Sequence, residues 1–325
     1  MYCKAPSNRS SNRARAVVFE RNGGPEVLEY RDVPGPTAKE GEVLVDVKVV
    51  GVNFRDVYER EGHGYGAQPP AIIGVEGAGV VAGTSERVAW LDVPYSYAER
   101  VAARRDRLVP IPDGVTTELA AAAMLQGSTA YYLAHESYPI QAGDWVLVHA
   151  AAGWVGLLLT QVAKMLGARV IATTSTDEKA GLAREAGADV VIGYAGFARR
   201  VRDITGGEGV AAVYDGIGKT TFDEGLDAIR PFGRMIMYGS ASGQPDPLKV
   251  QLLAPKGSLY VQRPTLNTYT RTAELLGELA SRVFDLVAAG RLQVRIGARY
   301  PLSDARQAHI DLQARKTAGK ILLLP

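Results

Sequence analysis

Three consecutive runs constrain the fold more than any other part of the chain: W-V-L-V-H-A-A-A-G-W-V-G at 145–156, L-L-L-T-Q-V-A-K-M-L-G-A at 157–168, and R-V-I-A-T-T-S-T-D-E-K at 169–179. Val146 to His149 is a short apolar, β-branched run. Leu157 to Leu166 predicts an apolar-rich helix closed by Gly167, and Arg169 to Thr173 predicts a second strand. Gly153 and Gly156 sit in the intervening turn, with Ala151 where a strict G-x-G-x-x-G would place its first glycine. Strand, glycine turn, helix and strand form the unit that cradles a dinucleotide. Small residues admit a pyrophosphate close to the backbone, and the helix N-terminus offers it N–H groups and a partial positive charge.

The same runs discriminate between cofactors. A site for NAD usually carries an acidic residue about 20 positions past the turn, bonded to the ribose 2′-hydroxyl. This chain has Thr173, Thr174, Ser175 and Thr176 there, with Lys179 beyond. Hydroxyls and an ammonium suit a dianionic 2′-phosphate, which favours NADPH. Asp177 and Glu178 argue the other way unless they open the next helix, for which Thr176 is a natural N-cap.

At 325 residues the chain has room for two domains. A formal net charge of +2 makes no bulk demand for nucleic acid or an anionic membrane, and no apolar run approaches the ~20 residues that span a bilayer. The first 13 residues are polar and basic without the apolar core of a signal peptide, so residues 1–15 are expected to be a disordered arm. Cys3, the single cysteine, lies in that arm, which leaves no intrachain disulfide and a reducing, cytoplasmic setting as the default. Up to about residue 133 the pattern is mostly β: strands at Ala16 to Phe19 and Glu42 to Val49, a loop and short helix through 51–62, and a glycine-rich bent strand at Ile72 to Val81 with close backbone packing. From about Gln141 strands alternate with helices, with strands at Val190 to Ile192, Ala211 to Tyr214, Met235 to Tyr238 and Leu259 to Val261. The fold class is α/β with a doubly wound parallel sheet. Helices are expected at Leu275 to Ala289 and Tyr300 to Ala314.

Seven ordered motifs carry a family resemblance: G-G-P-E-V-L at 23–28, G-V-N-F-R-D-V-Y at 51–58, Q-G-S-T-A-Y-Y-L at 126–133, H-A-A-A-G-W-V-G at 149–156, A-V-Y-D-G-I-G at 212–218, G-S-L-Y-V-Q-R-P-T-L at 257–266 and A-R-K-T-A-G-K at 314–320. Across Ala16 to Pro325 the chain resembles the quinone oxidoreductase, or zeta-crystallin-like, branch of the medium-chain dehydrogenase/reductase superfamily. The resemblance implies a GroES-like, mostly β catalytic domain from 16–133 and 264–325, a Rossmann-like NADP-binding domain from 134–263, and a cofactor and substrate cleft between them.

Zinc-dependent members of the superfamily use a Cys, a His-Glu pair and a further Cys or acid. Here Val75 precedes Glu76, no Cys follows position 3, and His63, His135, His149 and His309 have no paired spacing, so no metal is expected. His149 reads as strand-end packing, and His135 and His309 as surface or structural residues. Without a metal the nicotinamide moves the electrons, and no Ser-Lys-Tyr or His-Asp constellation is visible in the sequence. The resemblance implies that Asn53, Asp56 and Tyr58 border the nicotinamide and that Tyr65 lies near the substrate. Tyr58 reads equally as a buried core aromatic, and Tyr65 as an exposed loop tyrosine. It further implies a cofactor set of Asn53, Tyr132, Gly153, Trp154, Val155, Ser175, Lys179, Tyr194, Gly216, Tyr238, Gly239, Ser240, Arg263, Thr265 and Arg315, with Lys179 and Tyr194 on the 2′-phosphate and Arg315 reaching the phosphates or ribose from the other domain.

Two departures from the family pattern stand out. Trp154 replaces a second glycine of the turn, and residues 80–88 are shorter than the hairpin relatives carry. The leading activity is NADPH-dependent reduction of a quinone, with reduction of an activated C=C bond in an enone or enoyl thioester as the enzymatic alternative. A non-enzymatic alternative is an AU-rich RNA-binding or structural zeta-crystallin-like protein. A homodimer formed by strand pairing around Ser258 to Gln262 is also implied.

Overall fold

The computed structural model describes residues 13–63 and 68–325. The chain forms two compact units: one holds the described residues up to Ala122 with Ala298–Thr317 and Ile321–Pro325, the other Ala123–Gly297 with Ala318–Lys320.

The first unit begins with β1 (Arg13–Phe19) and β2 (Leu28–Pro34), an antiparallel pair. Arg13, Ala14 and Arg15, expected in the arm, belong to β1 because they pair with Asp32, Val33 and Pro34. The rest of the expected arm lies outside the described residues. Next come β3 (Glu42–Gly51), α1 (Phe54–Glu61), β4 (Ala71–Ile72), β5 (Glu76–Val81), β6 (Arg87–Trp90), β7 (Arg100–Arg104) and β8 (Val109–Pro110). In β3 the alternating valines Val45, Val47 and Val49 face the core and are buried. The glycine-rich strand packs as closely as its sequence requires: a Cβ on Gly79 would stand 2.3 Å from the Asp46 carbonyl oxygen, and one on Gly77 would stand 2.7 Å from the Trp90 ring. Residues 80–88 close as a tight turn, with Thr84 donating to the Val81 carbonyl.

The second unit opens within α2 (Thr117–Tyr132) and continues with β9 (Trp145–Val148), α3 (Trp154–Met165), β10 (Arg169–Thr173), α4 (Asp177–Glu185), β11 (Val190–Ile192), α5 (Phe197–Ile204), β12 (Val210–Asp215), α6 (Phe222–Asp227), β13 (Ile229–Met237), β14 (Tyr260–Gln262), α7 (Leu266–Tyr269) and α8 (Ala273–Ala288). Its six strands are all parallel, in the order β11-β10-β9-β12-β13-β14. Counted from β9 as the first, this is the 3-2-1-4-5-6 order of a dinucleotide-binding fold. Its strands read as near-continuous apolar runs because both faces are covered. Every residue of β12 is buried, and Leu147, Ile171, Val213 and Met235 share a core with Phe197 and Val201 of α5.

Residues 264–297, grouped by sequence with the catalytic domain, belong to this second unit. Gly127 explains part of the attachment: a Cβ there would stand 2.7 Å from Val283 Cγ1, so α2 and α8 approach closely. The chain then returns to the first unit through β15 (Ile296–Pro301), α9 (Ala305–Gln313) and β16 (Lys320–Leu324). The helix expected over Tyr300 to Ala314 starts late. Pro301 holds Tyr300 in extended backbone, so the strand runs through both residues and the helix begins at Ala305. The large sheet of the first unit has the order β15-β16-β3-β5-β6-β8, with β7 also paired to β3. Among the described residues no helix is long and apolar enough to cross a membrane.

Candidate functional site

In the second unit the strand order reverses between β9 and β12, the topological switch point beside which open parallel sheets bind their ligands. The β9 loop is the glycine turn. Ala150 takes a left-handed φ of 49°, Gly153 donates back to the Ala150 carbonyl at 2.8 Å, and α3 starts at Trp154 with Gly153 as its N-cap. A Cβ on Gly156 would lie 2.4 Å from the Ala150 oxygen and 2.7 Å from the Ala151 Cα, so only glycine closes the turn. The N–H groups of Trp154, Val155 and Gly156 lie in the first turn of α3, where no intrahelical carbonyl is available. They present the anion-binding end of the helix.

Trp154, the departure from the glycine pattern, has its indole engaged by a cation. The ammonium of Lys320 stands 5.2 Å from the ring centroid and donates to Gln126 Oε1 at 2.9 Å, with Lys320 only 2% exposed. Nothing in the sequence run itself links Trp154 to Lys320 or Gln126.

The far side of the turn is held by Tyr194, whose hydroxyl accepts from the Ala150 N–H at 3.2 Å. Ser175 and Thr176 are exposed at the end of β10, and Lys179 is half-buried. Thr176 is the N-cap of α4, its hydroxyl accepting from the Lys179 N–H, which places Asp177 and Glu178 in the first turn of that helix. There the two acids complement the helix dipole. Thr173 is buried, its hydroxyl 2.9 Å from His149 Nδ1. His149 is held neutral by burial, which lowers its pKa to about 3.

Across the switch point, Asp215 organises the β12 loop. Its carboxylate accepts from the Ile217 and Gly218 N–H groups at 2.7 and 3.0 Å and from the Thr221 hydroxyl at 2.9 Å, while burial pushes its pKa up. A Cβ on Gly216 would stand 2.9 Å from the Tyr238 ring, and one on Gly239 would stand 2.7 Å from the Gly216 carbonyl. Both glycines thus let the β12 and β13 ends close on each other, with Ser240 half-buried beside them. Arg263 donates to the Pro264 and Tyr238 carbonyls at 2.8 and 3.3 Å, and Thr265 is the N-cap of α7. Tyr132 is buried and stacks on Tyr269 with centroids 4.0 Å apart. The sequence reading missed Asp215 and Tyr269. The D-G-I-G run was a usable signal for Asp215, whereas nothing local pointed to Tyr269.

In the first unit Asn53 opens α1 and is buried. Its Nδ2 donates to Glu76 Oε2 at 2.9 Å and to the Gly51 carbonyl at 3.1 Å. Asp56, three residues on, reaches back so that Oδ2 accepts the Asn53 N–H at 2.8 Å. The same oxygen accepts the Tyr97 hydroxyl at 2.9 Å, and that hydroxyl lies 3.1 Å from His309 Nε2. His309 Nδ1 in turn meets Arg60 Nη1 at 3.0 Å. His309 and Asp56, which sequence spacing kept apart, thus share one buried chain. Burial raises the Asp56 pKa to about 7, against the lowering effects of Arg55 and of the Asn53 N–H. Burial and the neighbouring Arg60 lower His309 to about 3. Gly74, at φ 94°, makes room for the Tyr97 ring, which a Cβ would meet at 2.1 Å. Tyr58 is half-buried on α1. Arg315 is exposed just past α9 with a φ of 54°. Tyr65 lies outside the described residues.

Comparison with known proteins decides the family. The zinc-binding dehydrogenase model matches residues 155–281, and the alcohol dehydrogenase GroES-like model matches residues 39–93. A quinone oxidoreductase of Pseudomonas aeruginosa is 41% identical over 96% of this chain and all of that protein. The chain belongs to the quinone oxidoreductase branch of the medium-chain dehydrogenase/reductase superfamily. A 2-haloacrylate reductase of a Burkholderia species is also 38% identical over 95% of this chain and 98% of its own length. A mycobacterial structure complexed with NADPH has 45% identity and a TM-score of 0.92, covering 96% of this chain and all of that one.

Zinc, named in one family description, does not fit this quinone oxidoreductase homologue. Among the described residues no group of three or more His, Cys, Asp or Glu side chains is placed to hold a metal ion. Glu76 is committed to the Asn53 amide, and His149 and His309 are buried in different units. NADPH does fit the second unit. Gly153, Gly156, Gly216 and Gly239 let the loops at the switch point close tightly, since a Cβ at each would meet neighbouring backbone or the Tyr238 ring, and the first turn of α3 is left to offer its N–H groups to a phosphate.

Proposed function

We propose that the protein is an NADPH-dependent quinone oxidoreductase that works without a metal. The observation that carries this reading is the glycine-lined switch point of a 3-2-1-4-5-6 sheet, flanked by hydroxyls and Lys179 rather than by an acid bonded at the end of β10. Gly153, Trp154 and Val155 would hold the pyrophosphate through the first turn of α3. Ser175, Lys179 and Tyr194 would hold the 2′-phosphate, and Gly216, Tyr238, Gly239, Ser240, Arg263 and Thr265 the ribose and nicotinamide half, with Tyr132 behind them. Bound NADPH supplies the hydride. A quinone that gains a hydride and one proton becomes a hydroquinone, and water can deliver that proton, so the chain needs no strong acid. Asn53 and Tyr58 are read as residues of the reaction, Asp56 as the group that orients Asn53, Tyr65 as a substrate residue and Arg315 as a further cofactor contact.

Parallel NADPH-consumption assays with 1,4-benzoquinone, 9,10-phenanthrenequinone, an enone and crotonyl-CoA test the reading. Turnover of the quinones supports it. Turnover of the enone or thioester alone replaces it with C=C reduction, the reading that similarity to the haloacrylate reductase favours. We further propose a cytoplasmic homodimer joined along β14, a sheet-edge strand on which Tyr260 is 57% exposed. A monomer by sedimentation velocity would remove the dimer.

A further inference from the structure

The buried chain in the first unit has only one consistent set of donors. A guanidinium only donates, so Arg60 donates to His309 Nδ1 at 3.0 Å. The ring is neutral, which puts its single proton on Nε2, and Nε2–H donates to the Tyr97 oxygen at 3.1 Å. The Tyr97 proton then has one destination, Asp56 Oδ2 at 2.9 Å, which also accepts the Asn53 N–H. Arg60 is itself fixed: Nε donates to the Gly23 carbonyl at 3.0 Å, and Nη2 donates to Glu61 at 2.8 Å and Gln313 at 3.0 Å. Arginine does not release its proton in a protein, so the chain cannot conduct one. What it can do is orient. Oδ2 is occupied by two donors, so a proton taken up by Asp56 must sit on the buried Oδ1, which has no hydrogen-bond partner among the described residues.

We propose that Tyr97 and His309 are positioning residues of the reaction: they hold the Asp56 carboxylate as acceptor of the Asn53 N–H, keep Asn53 against Glu76, and make turnover depend on ionised Asp56. The proposal rests on Asn53 being a residue of the reaction. The titratable and charged groups around the chain are Arg55, Glu59, Arg60 and Glu61 on α1, Glu76 on β5, Tyr97 before β7, and the neutral His309 on α9. Arg55 and Tyr97 favour the ionised carboxylate, and Glu59 opposes it. Asp56 ionises as pH rises through about 7, so the reaction gains rate over that interval.

The test is a profile of kcat and KM for NADPH and 1,4-benzoquinone from about pH 5.5 to 9, for the wild type and for Tyr97→Phe, His309→Leu, His309→Gln and Asp56→Asn. Losing the Tyr97 donor raises the Asp56 pKa. The acid limb of Tyr97→Phe should therefore move upward by about one unit, costing about tenfold in kcat near pH 6.5. At pH 9 its kcat should remain near wild type. His309→Leu should shift the limb the same way, His309→Gln should restore most of it, and Asp56→Asn should abolish it. A uniform loss at every pH with the limb unmoved would overturn the proposal. The infrared band of a protonated buried carboxyl, absent in Asp56→Asn, provides a readout free of turnover. It should titrate near neutrality in the wild type and higher in Tyr97→Phe, or in His309→Leu if Tyr97→Phe does not fold. Titration in the ordinary carboxylate range overturns the chain, whereas a wild type that titrates as expected yet reduces no quinone overturns the proposed function instead.

Discussion

His149 makes the stability of the second unit depend on pH with a sign and size that can be worked out beforehand. Its ring lies buried between Tyr194 and Phe197, bonded at Nδ1 to Thr173, and its Nε2 has no hydrogen-bond partner among the described residues. Burial alone lowers its pKa from 6.5 to about 3. The unfolded chain therefore takes up a proton at this site as pH falls below 6.5, while the folded chain refuses it until about pH 3. Stability is lost over that window, by about 5 kcal/mol in full and by about 2 kcal/mol at pH 5. His309 contributes with the same sign, and Asp56, whose pKa is raised, with the opposite sign between about pH 4 and 7. A direct comparison of His149→Gln with wild type cancels both. Urea unfolding at pH 7.5 and 5, followed by fluorescence and far-ultraviolet circular dichroism, measures the difference. The variant should start less stable at pH 7.5 and lose about 2 kcal/mol less than wild type on going to pH 5. Equal losses in the two proteins would refute the argument that His149 is a buried neutral ring.

The remaining expectations concern two glycines and the cation proposed to hold the 2′-phosphate. Gly156→Ala drives a methyl to 2.4 Å from the Ala150 oxygen and should weaken NADPH binding by about tenfold or more in calorimetry; unchanged affinity would show that the turn relaxes freely. Gly74→Ala combines a φ of 94° with a 2.1 Å approach to the Tyr97 ring and should cost at least about 2 kcal/mol, read as a fall in Tm of several degrees. Lys179→Ala should raise the KM for NADPH by about tenfold and leave that for NADH nearly unchanged; equal effects on both would remove Lys179 from the 2′-phosphate.

The second unit was largely legible because its signals are local. The predicted strands at 169–173 and 190–192 match β10 and β11 residue for residue, and the N-cap role of Thr176 follows from a hydroxyl placed just before a run of helix formers. The tail was not legible. Periodicity favoured a helix from Tyr300, yet the fixed φ of Pro301 holds the chain extended there. Nor could periodicity assign 264–297 to the second unit, since the approach of Gly127 to Val283 is a tertiary fact. The site divided in the same way. The glycine turn was read from the six consecutive residues 151–156, whereas the link from Asp56 through Tyr97 to His309 joins α1, a loop and α9. Trp154 stood out as an anomaly in the turn, but its partner Lys320 lies on the last strand, beyond the reach of a local reading.

The way the chain returns to its first unit has a consequence for how the molecule is made. During synthesis, units tend to fold as their residues emerge. All six parallel strands of the second unit have emerged by Gln262, and its last long helix ends at Ala288. The first unit must wait. β3, made early, borders β16, and Tyr97 and Arg60 meet their imidazole only when α9 appears. Until then Asp56 and Arg60 lack the partner that joins them, so the older half of the protein reaches its working form last. A nascent chain stalled before residue 305 should therefore resist protease across 145–288 and be cut readily within 42–104.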